Sequence, residues 1–281
     1  MSADYSKWLL VSDIDGTLNN KLRRLPQINK TKIKEYVDNG GYFTLCSGRN
    51  LQSLTPHYKK LGIETPALFL NGAGIYDFKT NKMLSFTGVS EEVEEKIKEC
   101  ASLVKQAEVS VFTDDMIYHV KPKLFGYIMS WVDNLDNIVC KDLNEVPRGK
   151  WGKIIFFGLP HTLEKVLEFF NKDEIKPLCN TFRSSLLTVE VVAKDVDKGK
   201  GVMRLADILG IDKENIGAIG DYYNDVPMLK TVSHPACCGQ APSDIKKLAE
   251  YVTCHCNKGA VADFINYLED KYILNGGKNN G

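Results

Sequence analysis

The sequence predicts an α/β protein: a doubly wound, mostly parallel Rossmann-like core sheet with an inserted α+β domain. Three observations carry this. Short apolar runs near 8–12, 42–46, 67–70 and 216–220 alternate with segments of helical periodicity, as βαβ units do. Each run opens into a polar or glycine-rich stretch, the pattern expected at the C-terminal edge of a parallel sheet, where α/β proteins bind ligands. Between about Met83 and residue 189 the texture changes to strand-like runs in adjacent, antiparallel-looking pairs, and then the first texture resumes. The expected division is therefore a core of 1–84 with 190–281, and an insertion of 85–189.

The elements follow in order. Trp8 to Val11 is a buried strand that delivers Ser12-Asp13-Ile14-Asp15-Gly16-Thr17-Leu18. Strand pitch carried through this stretch would send Asp13 and Asp15 in divergent directions. An Asx turn capping the strand would read likewise. Asn19 to Pro26 is a polar loop, and Ile28, Ile33, Tyr36 and Val37 share one helical face that stops at Asn39-Gly40-Gly41. Tyr42 to Cys46 is the next strand, parallel to the first through a right-handed crossover, so Ser47-Gly48-Arg49-Asn50 reaches the same edge as Asp13. Ser47 there can cap a helix or, with Arg49, hold an anion. A helix over about 51–61 leads to a strand over 67–70 and to Asn71-Gly72-Ala73-Gly74, small residues that suit a close approach of backbone to ligand or a plain turn.

In the insertion, a charged helix from Glu91 to Gln106 precedes strands at 109–113 and 116–120 with Asp114-Asp115 as the turn. Leu124, Phe125, Ile128, Met129, Val132 and Leu135 form an amphipathic stretch. Strands near 138–142 and 152–158, a helix near 161–171, and strands near 178–183 and 186–193 complete the insertion.

Past the insertion, Asp195 to Gly201 opens a helix that ends at Gly210. Lys198 at its start opposes the dipole preference and costs a few tenths of a kcal/mol, roughly, unless an anion sits beside it. A strand over 216–220 then delivers Asp221-Tyr222-Tyr223-Asn224-Asp225. Strands at 232–238 and 251–255 alternate with helices at 243–250 and 259–269, and the tail from Asn275 is expected to be disordered.

Composition narrows the function. The 36 basic and 36 acidic residues balance, so no overall field draws nucleic acid or an anionic membrane, and an anionic ligand must be held locally. No run reaches the ~18 apolar residues that cross a bilayer, and the N-terminus lacks a secretory pattern, so a cytoplasmic protein is expected. The eight cysteines lie mostly in apolar runs and are expected to be reduced. Cys237-Cys238 and Cys254-His255-Cys256 lack the spacing of a structural zinc site, and Cys254 and Cys256 would share one face of a strand. The five histidines are scattered without partners at ligand spacing.

The topology collects Asp13, Asp15, Asp221 and Asp225 against Lys198 and Arg49, with Ser47, Thr17 and Asn224 as uncharged donors. Carboxylates about 4 Å apart repel by roughly 4 kcal/mol at an effective dielectric of 20, which calls for a divalent cation. An all-oxygen set with few protein ligands, beside a phosphate, favours Mg2+ over calcium. An aspartate nucleophile, a metal and a lysine together point to phosphoryl transfer through an aspartyl phosphate.

These stretches carry a resemblance. Asp13-Ile14-Asp15-Gly16-Thr17, Ser47-Gly48-Arg49, Lys198 and Gly220-Asp221-Tyr222-Tyr223-Asn224-Asp225, in that order, resemble the four motifs of the haloacid dehalogenase superfamily of phosphatases. The Asn71-Gly72-Ala73 turn and the insert resemble its Cof-like branch, whose class II cap is an α+β domain. The resemblance spans residues 8–270. It implies that Asp13 attacks phosphorus and binds Mg2+, with the Asp15 carbonyl and the Asp221 carboxylate as further ligands. Asp15 would serve as acid and then base, and Ser47 and Lys198 would bind phosphoryl oxygens. Thr17, Asn224 and Asp225 would support them, with Arg49, Asn71 and Gly72 on the substrate side. The cap would exclude water and choose the substrate, with Phe182, Arg183 and Glu190 as candidates. Ser47 stands where threonine is common, and the hydroxyl is kept.

The expected partner is a small phosphorylated metabolite, sugar phosphates first, with no nucleic acid or membrane, the chain being a monomer or weak homo-oligomer. A phosphomutase or phosphotransferase of the same superfamily, a receiver-type signalling protein and a non-catalytic phosphosugar-binding protein are the alternatives.

Overall fold

The structure is a computed structural model that describes residues 4–122 and 135–274. The chain forms two compact units, one of Met1–Gly48, Thr55–Leu84 and Asp197–Gly281, the other of Arg49–Leu54 and Ser85–Val196. The amphipathic stretch expected from Leu124 to Leu135 lies, apart from Leu135, outside the described residues, as does the tail from Asn275.

The first unit opens with β1 (Leu9–Ser12), α1 (Gln27–Asp38) and β2 (Tyr42–Leu45). After α2 (Leu51–Leu61), whose first turn clusters with the second unit, come β3 (Ala67–Phe69), β4 (Gly74–Asp77) and β5 (Lys82–Phe86). The second unit holds α3 (Glu91–Leu103), β6 (Glu108–Phe112), β7 (Ile117–Val120), β8 (Asn137–Cys140), β9 (Lys153–Phe157), α4 (Pro160–Phe170), β10 (Cys179–Ser185) and β11 (Thr188–Ala193). The chain returns through α5 (Lys198–Leu209), β12 (Ile216–Gly220), α6 (Val226–Thr231), β13 (His234–Cys237), α7 (Ser243–Lys246), β14 (Tyr251–Val252) and α8 (Ala260–Leu268).

The core sheet runs β14-β13-β12-β1-β2 with every pairing parallel. Parallel strands must bury both faces, and the alternation of side chains does so here. Leu9 and Val11 of β1 and Ile216 and Ala218 of β12 pack with Val202, Leu205 and Ala206 of α5 and Met228 of α6. On the opposite face, Leu10, Phe264 and Leu268 close over Gly217, where an added Cβ would come within 2.8 Å of Leu268. Helices therefore cover both sides, the doubly wound arrangement expected from the sequence.

Three sequence expectations change. The strand leading to Asp13 ends at Ser12, and the chain then turns, so Asp15 is not on a strand and the alternation of pitch does not set its direction. β4 and β5 form a three-stranded sheet with β3, an arrangement that the sequence left unread because β5 is half-exposed and lacks an apolar run. β14 stops at Val252 and Cys256 opens a 3-10 turn, so Cys254 and Cys256 do not share a strand face. Backbone bonds from the Thr253 amide to the Cys237 carbonyl (2.9 Å) and from the Gly239 amide to the Cys254 carbonyl (3.2 Å) follow Val252, and the chain then leaves the sheet.

The second unit is a six-stranded sheet ordered β10-β11-β9-β6-β7-β8, antiparallel except for β7 with β8. Val111, Ile154 and Val191 lie opposite one another on one face and are buried. Phe156 on that face meets Phe170 of α4 with ring centroids 6.1 Å apart. Gln52 ties α2's first turn to this unit, donating to the Asp136 carbonyl (3.2 Å) and accepting from the Asp136 amide (2.8 Å).

Candidate active site

Register at the C-terminal ends of three adjacent strands builds the site. Ser12 lies opposite Leu45 on one side and Ile219 on the other. The Asp13 amide continues the ladder to the Ile219 carbonyl (3.0 Å), and the Cys46 amide donates to the Ser12 carbonyl (2.9 Å). Asp13, Ser47 and Asp221 thus leave neighbouring strands at one edge.

After Asp13 the chain folds back on itself. The Leu18 amide donates to the Asp13 carbonyl (3.2 Å), and the Asn19 amide to the Ile14 carbonyl (2.9 Å). Gly16 sits at φ +84° in this loop, and any side chain there would strike the Asp221 carboxylate. Asp15 is exposed, and its backbone bridges to Asn19. Thr17 is buried and donates to Asp221 Oδ1 (3.4 Å).

Lys198 arrives from the first turn of α5. Its side chain is fully buried, with Nζ 2.6 Å from Asp13 Oδ1 and 2.5 Å from Asp225 Oδ1. The cation that the dipole disfavours at a helix start is therefore held by two anions. Two glycines let the helix come this close. Gly199 lies under the Pro227 carbonyl, and a Cβ on Gly201 would come within 2.7 Å of the Gly72 Cα. Each costs about 1 kcal/mol against alanine in a helix, a loss offset by the approach it permits.

Asp225 is committed on both oxygens. Oδ1 faces Lys198, and Oδ2 accepts from the amides of Asp221 (2.8 Å) and Tyr222 (3.1 Å). It fixes the loop that carries Asp221. Asn224 in the same loop is exposed.

Asp13, Asp221 and Asp225 each place a carboxylate oxygen within 4.8 Å of the others. Burial pushes the Asp13 carboxyl up to about 7, with the charges of Asp225 and Asp221 adding to it and Lys198 opposing. Burial, then the Asp225 charge, pushes Asp221 up to about 6. Burial would lower Lys198, but the Asp13 and Asp225 charges outweigh it and hold it cationic. Three carboxylates against one ammonium leave an acidic excess lined by oxygen alone, a donor set that fits a hard divalent cation. With Asp225 committed, Asp13 and Asp221 are the carboxylates left to meet it.

The turn after β3 supports the other flank. Ser47, nearly fully buried, donates its amide to the Leu68 carbonyl (3.1 Å), and its carbonyl accepts from the Asn71 amide (2.8 Å). Asn71 takes φ +58° and Gly72 φ +87°. The Asn71 carboxamide lies against Gly48, its Oδ1 buried with no hydrogen-bond partner among the described residues. Arg49 is half-buried and falls in the segment that clusters with the second unit.

Two supporting residues escaped the sequence reading. Gln240 donates to the Gly16 carbonyl (2.6 Å) and accepts from the Cys256 amide (3.0 Å), bracing the loop after β1. It lies just past β13 at the same sheet edge, the rule that located the other polar groups. Arg204, one helical face along from Lys198, donates to the Gly72 carbonyl, and nothing in the sequence singles it out.

A parallel sheet wound on both faces, with an acidic cluster and a buried lysine at its C-terminal edge, is the frame of a hydrolase. The chain belongs to the haloacid dehalogenase-like hydrolases, whose family model matches residues 10–265, and it is an enzyme of the phosphatase class. It is 28% identical, over 91% of its length and 96% of the relative's, to the 5-amino-6-(5-phospho-D-ribitylamino)uracil phosphatase YwtE of Bacillus subtilis. Its fold is similar to that of a haloacid dehalogenase-like hydrolase from Bacteroides thetaiotaomicron, with TM-score 0.83 and 24% identity over 93% of this chain and 99% of that one. The subclass IIB sugar phosphatase BT4131 gives TM-score 0.78 and 20% identity over 93% and 98%. Among the described residues, no helix is long and apolar enough to cross a membrane.

Proposed function

We propose that the chain hydrolyses small phosphorylated metabolites, polyol and sugar phosphates first, in a Mg2+-dependent reaction through an aspartyl phosphate. The observation that carries this is the buried contact of Lys198 with Asp13 (2.6 Å) beside the Asp221 carboxylate. The Asp13 carboxylate attacks phosphorus and the ester P–O bond breaks, while Asp15 gives its proton to the departing alkoxide. Asp15 then takes a proton from water, whose oxygen attacks the same phosphorus and releases inorganic phosphate, restoring Asp13. Lys198 and Ser47 bind phosphoryl oxygens and offset their charge. Thr17, Asn224 and Asp225 hold the two catalytic loops, and Arg49, Asn71 and Gly72 serve the substrate.

Asp13 and Asp221 with the Asp15 carbonyl would hold Mg2+, which when bound supplies positive charge against the phosphoryl oxygens. The named relative acts on a phosphorylated ribityl chain, a polyol phosphate, which supports the substrate class. We take the first unit as the catalytic domain and the second, which keeps the whole of β11, as the cap, and the protein as a cytoplasmic monomer or weak homo-oligomer.

A screen of phosphomonoesters with Mg2+ tests the reading by release of inorganic phosphate. Release without a bisphosphate activator is expected. Turnover only with such an activator, returning phosphate to sugar, would make the chain a mutase instead.

A further inference from the structure

The loop after β1 is held at several points by other elements. Lys198 meets Asp13, Gln240 donates to the Gly16 carbonyl, and Thr17 reaches Asp221. The Leu18 carbonyl accepts from Asn29 Nδ2 (2.9 Å), whose Oδ1 is fixed in turn by the Ala262 amide (2.9 Å). Asn19 closes the loop. Its amide donates to the Ile14 carbonyl (2.9 Å), and its backbone bridges to Asp15. The Ile14 carbonyl and the Asp15 nitrogen share one rigid peptide plane, so Asn19 fixes the plane from which the Asp15 side chain departs.

Asn19 is itself held from α2. It is only 3% exposed, and its Nδ2 lies 3.1 Å from His57 Nε2. A carboxamide at that depth needs protein partners, and His57 supplies one. The neighbouring Tyr58 seats the helix: its hydroxyl pairs with the Thr44 hydroxyl (2.7 Å) and accepts from the Leu45 amide (3.4 Å). Thr44 and Leu45 belong to β2, the strand paired with β1. The imidazole therefore stands on a helix pinned to the same sheet that carries the loop, and all of these residues lie within the first unit. We propose that His57 is a positioning residue for Asp15, acting through Asn19. Asp15 is exposed, and as a proton donor it must come within about 2.6–3.2 Å of the leaving oxygen. A support behind the loop sets that reach without touching the substrate. This rests on the phosphatase reading above and deepens it by naming what aims its acid.

Ribose 5-phosphate and p-nitrophenyl phosphate form the test pair, because the sugar alkoxide needs the proton of Asp15 and the nitrophenolate does not. His57→Leu keeps the bulk and removes the hydrogen bond. In the full-length protein with Mg2+ it is expected to lose about tenfold more kcat/KM on ribose 5-phosphate than on the aryl ester, the scale of a misplaced catalytic group. His57→Gln, whose carboxamide can stand where Nε2 stood, is expected to keep the wild-type ratio of the two. In an Asp15→Ala background, His57→Leu is expected to leave the ratio unchanged. Both substrates are read on one preparation, so a lowered folded fraction cancels in the ratio. Equal losses from His57→Leu, the same selective loss in His57→Gln, or a further selective loss in the Asp15→Ala background overturn the proposal. If Asp15→Ala alone spares the ratio, the acid role fails, and if no phosphomonoester is hydrolysed, the phosphatase reading fails. Deuterium exchange of the amides over 14–19 then decides: faster exchange in the His57→Leu protein upholds the support, and unchanged exchange overturns it.

Discussion

Lys198 and Asp13 stand 185 positions apart in the chain, yet their side chains meet at 2.6 Å in the interior. Removing one member of a buried ion pair leaves the other charge unsolvated, a loss of about 3–5 kcal/mol. Lys198→Ala leaves two such carboxylates and is expected to lower unfolding free energy by at least that much, measured in urea, with phosphate release abolished. A near-wild-type midpoint would mean that water reaches the cluster.

Asp13→Asn keeps the shape and removes the proposed nucleophile. Phosphate release is expected to fall by about a thousandfold or more on every substrate, aryl phosphates included. Retained release from an aryl phosphate would rule out the covalent route.

Asp15→Ala is expected to separate substrates by their leaving groups. An alkoxide needs a proton from the enzyme and a nitrophenolate does not, so the loss should be about a hundredfold or more on sugar phosphates and smaller on the aryl ester. Equal losses would deny Asp15 the acid role.

Gly201→Ala sets helix propensity against packing. Propensity alone predicts about 1 kcal/mol of added stability. The contact with Gly72 predicts the opposite sign, because the new methyl would push α5 off the turn after β3 and carry Lys198 with it. Lower thermal stability and lower activity together are expected. A stabilised variant would show that the helix has room to shift.

A pH-dependent contribution sits far from this chemistry. Glu250 is opposed by burial, but hydrogen bonds from Lys271, Tyr272, Tyr267 and His234 prevail and hold its carboxyl down at about 2 against an ordinary 4.5. A depressed carboxyl stabilises the fold above its unfolded value and stops doing so as pH falls through its folded value. The contribution, on the order of 2–3 kcal/mol, is therefore complete above about pH 4.5 and is lost towards pH 2. Urea midpoints of the wild type and Glu250→Gln should differ most near neutrality and converge in acid. A gap independent of pH would assign the effect to packing.

What the sequence reveals depends on how local the signal is. β1, β2 and β12 are legible because each is a buried apolar run, and their polar exits follow from parallel topology. The unusual lysine at the start of α5 is legible through its conflict with the dipole. β4 and β5 are not, since a short half-exposed hairpin carries no periodicity. The expected helix over 243–250 shrinks to Ser243–Lys246 because tertiary pairing, with the Glu250 amide on the Pro235 carbonyl, claims the following residues. Arg204 acts on the backbone carbonyl of a loop distant in sequence, so no spacing announces it, whereas Gln240 follows the same sheet-edge rule as the other polar groups.

The long separation of Asp13 from its partner also bears on how the protein is made. At about 5–20 residues per second, a ribosome needs on the order of tens of seconds to pass from one to the other. Throughout that interval the first strand's aspartate has no counterion from the helix, and neither β12 nor α5 exists to cover it. The nascent first unit must therefore wait, unclosed, while the intervening part of the second unit is translated, and that unit can fold first.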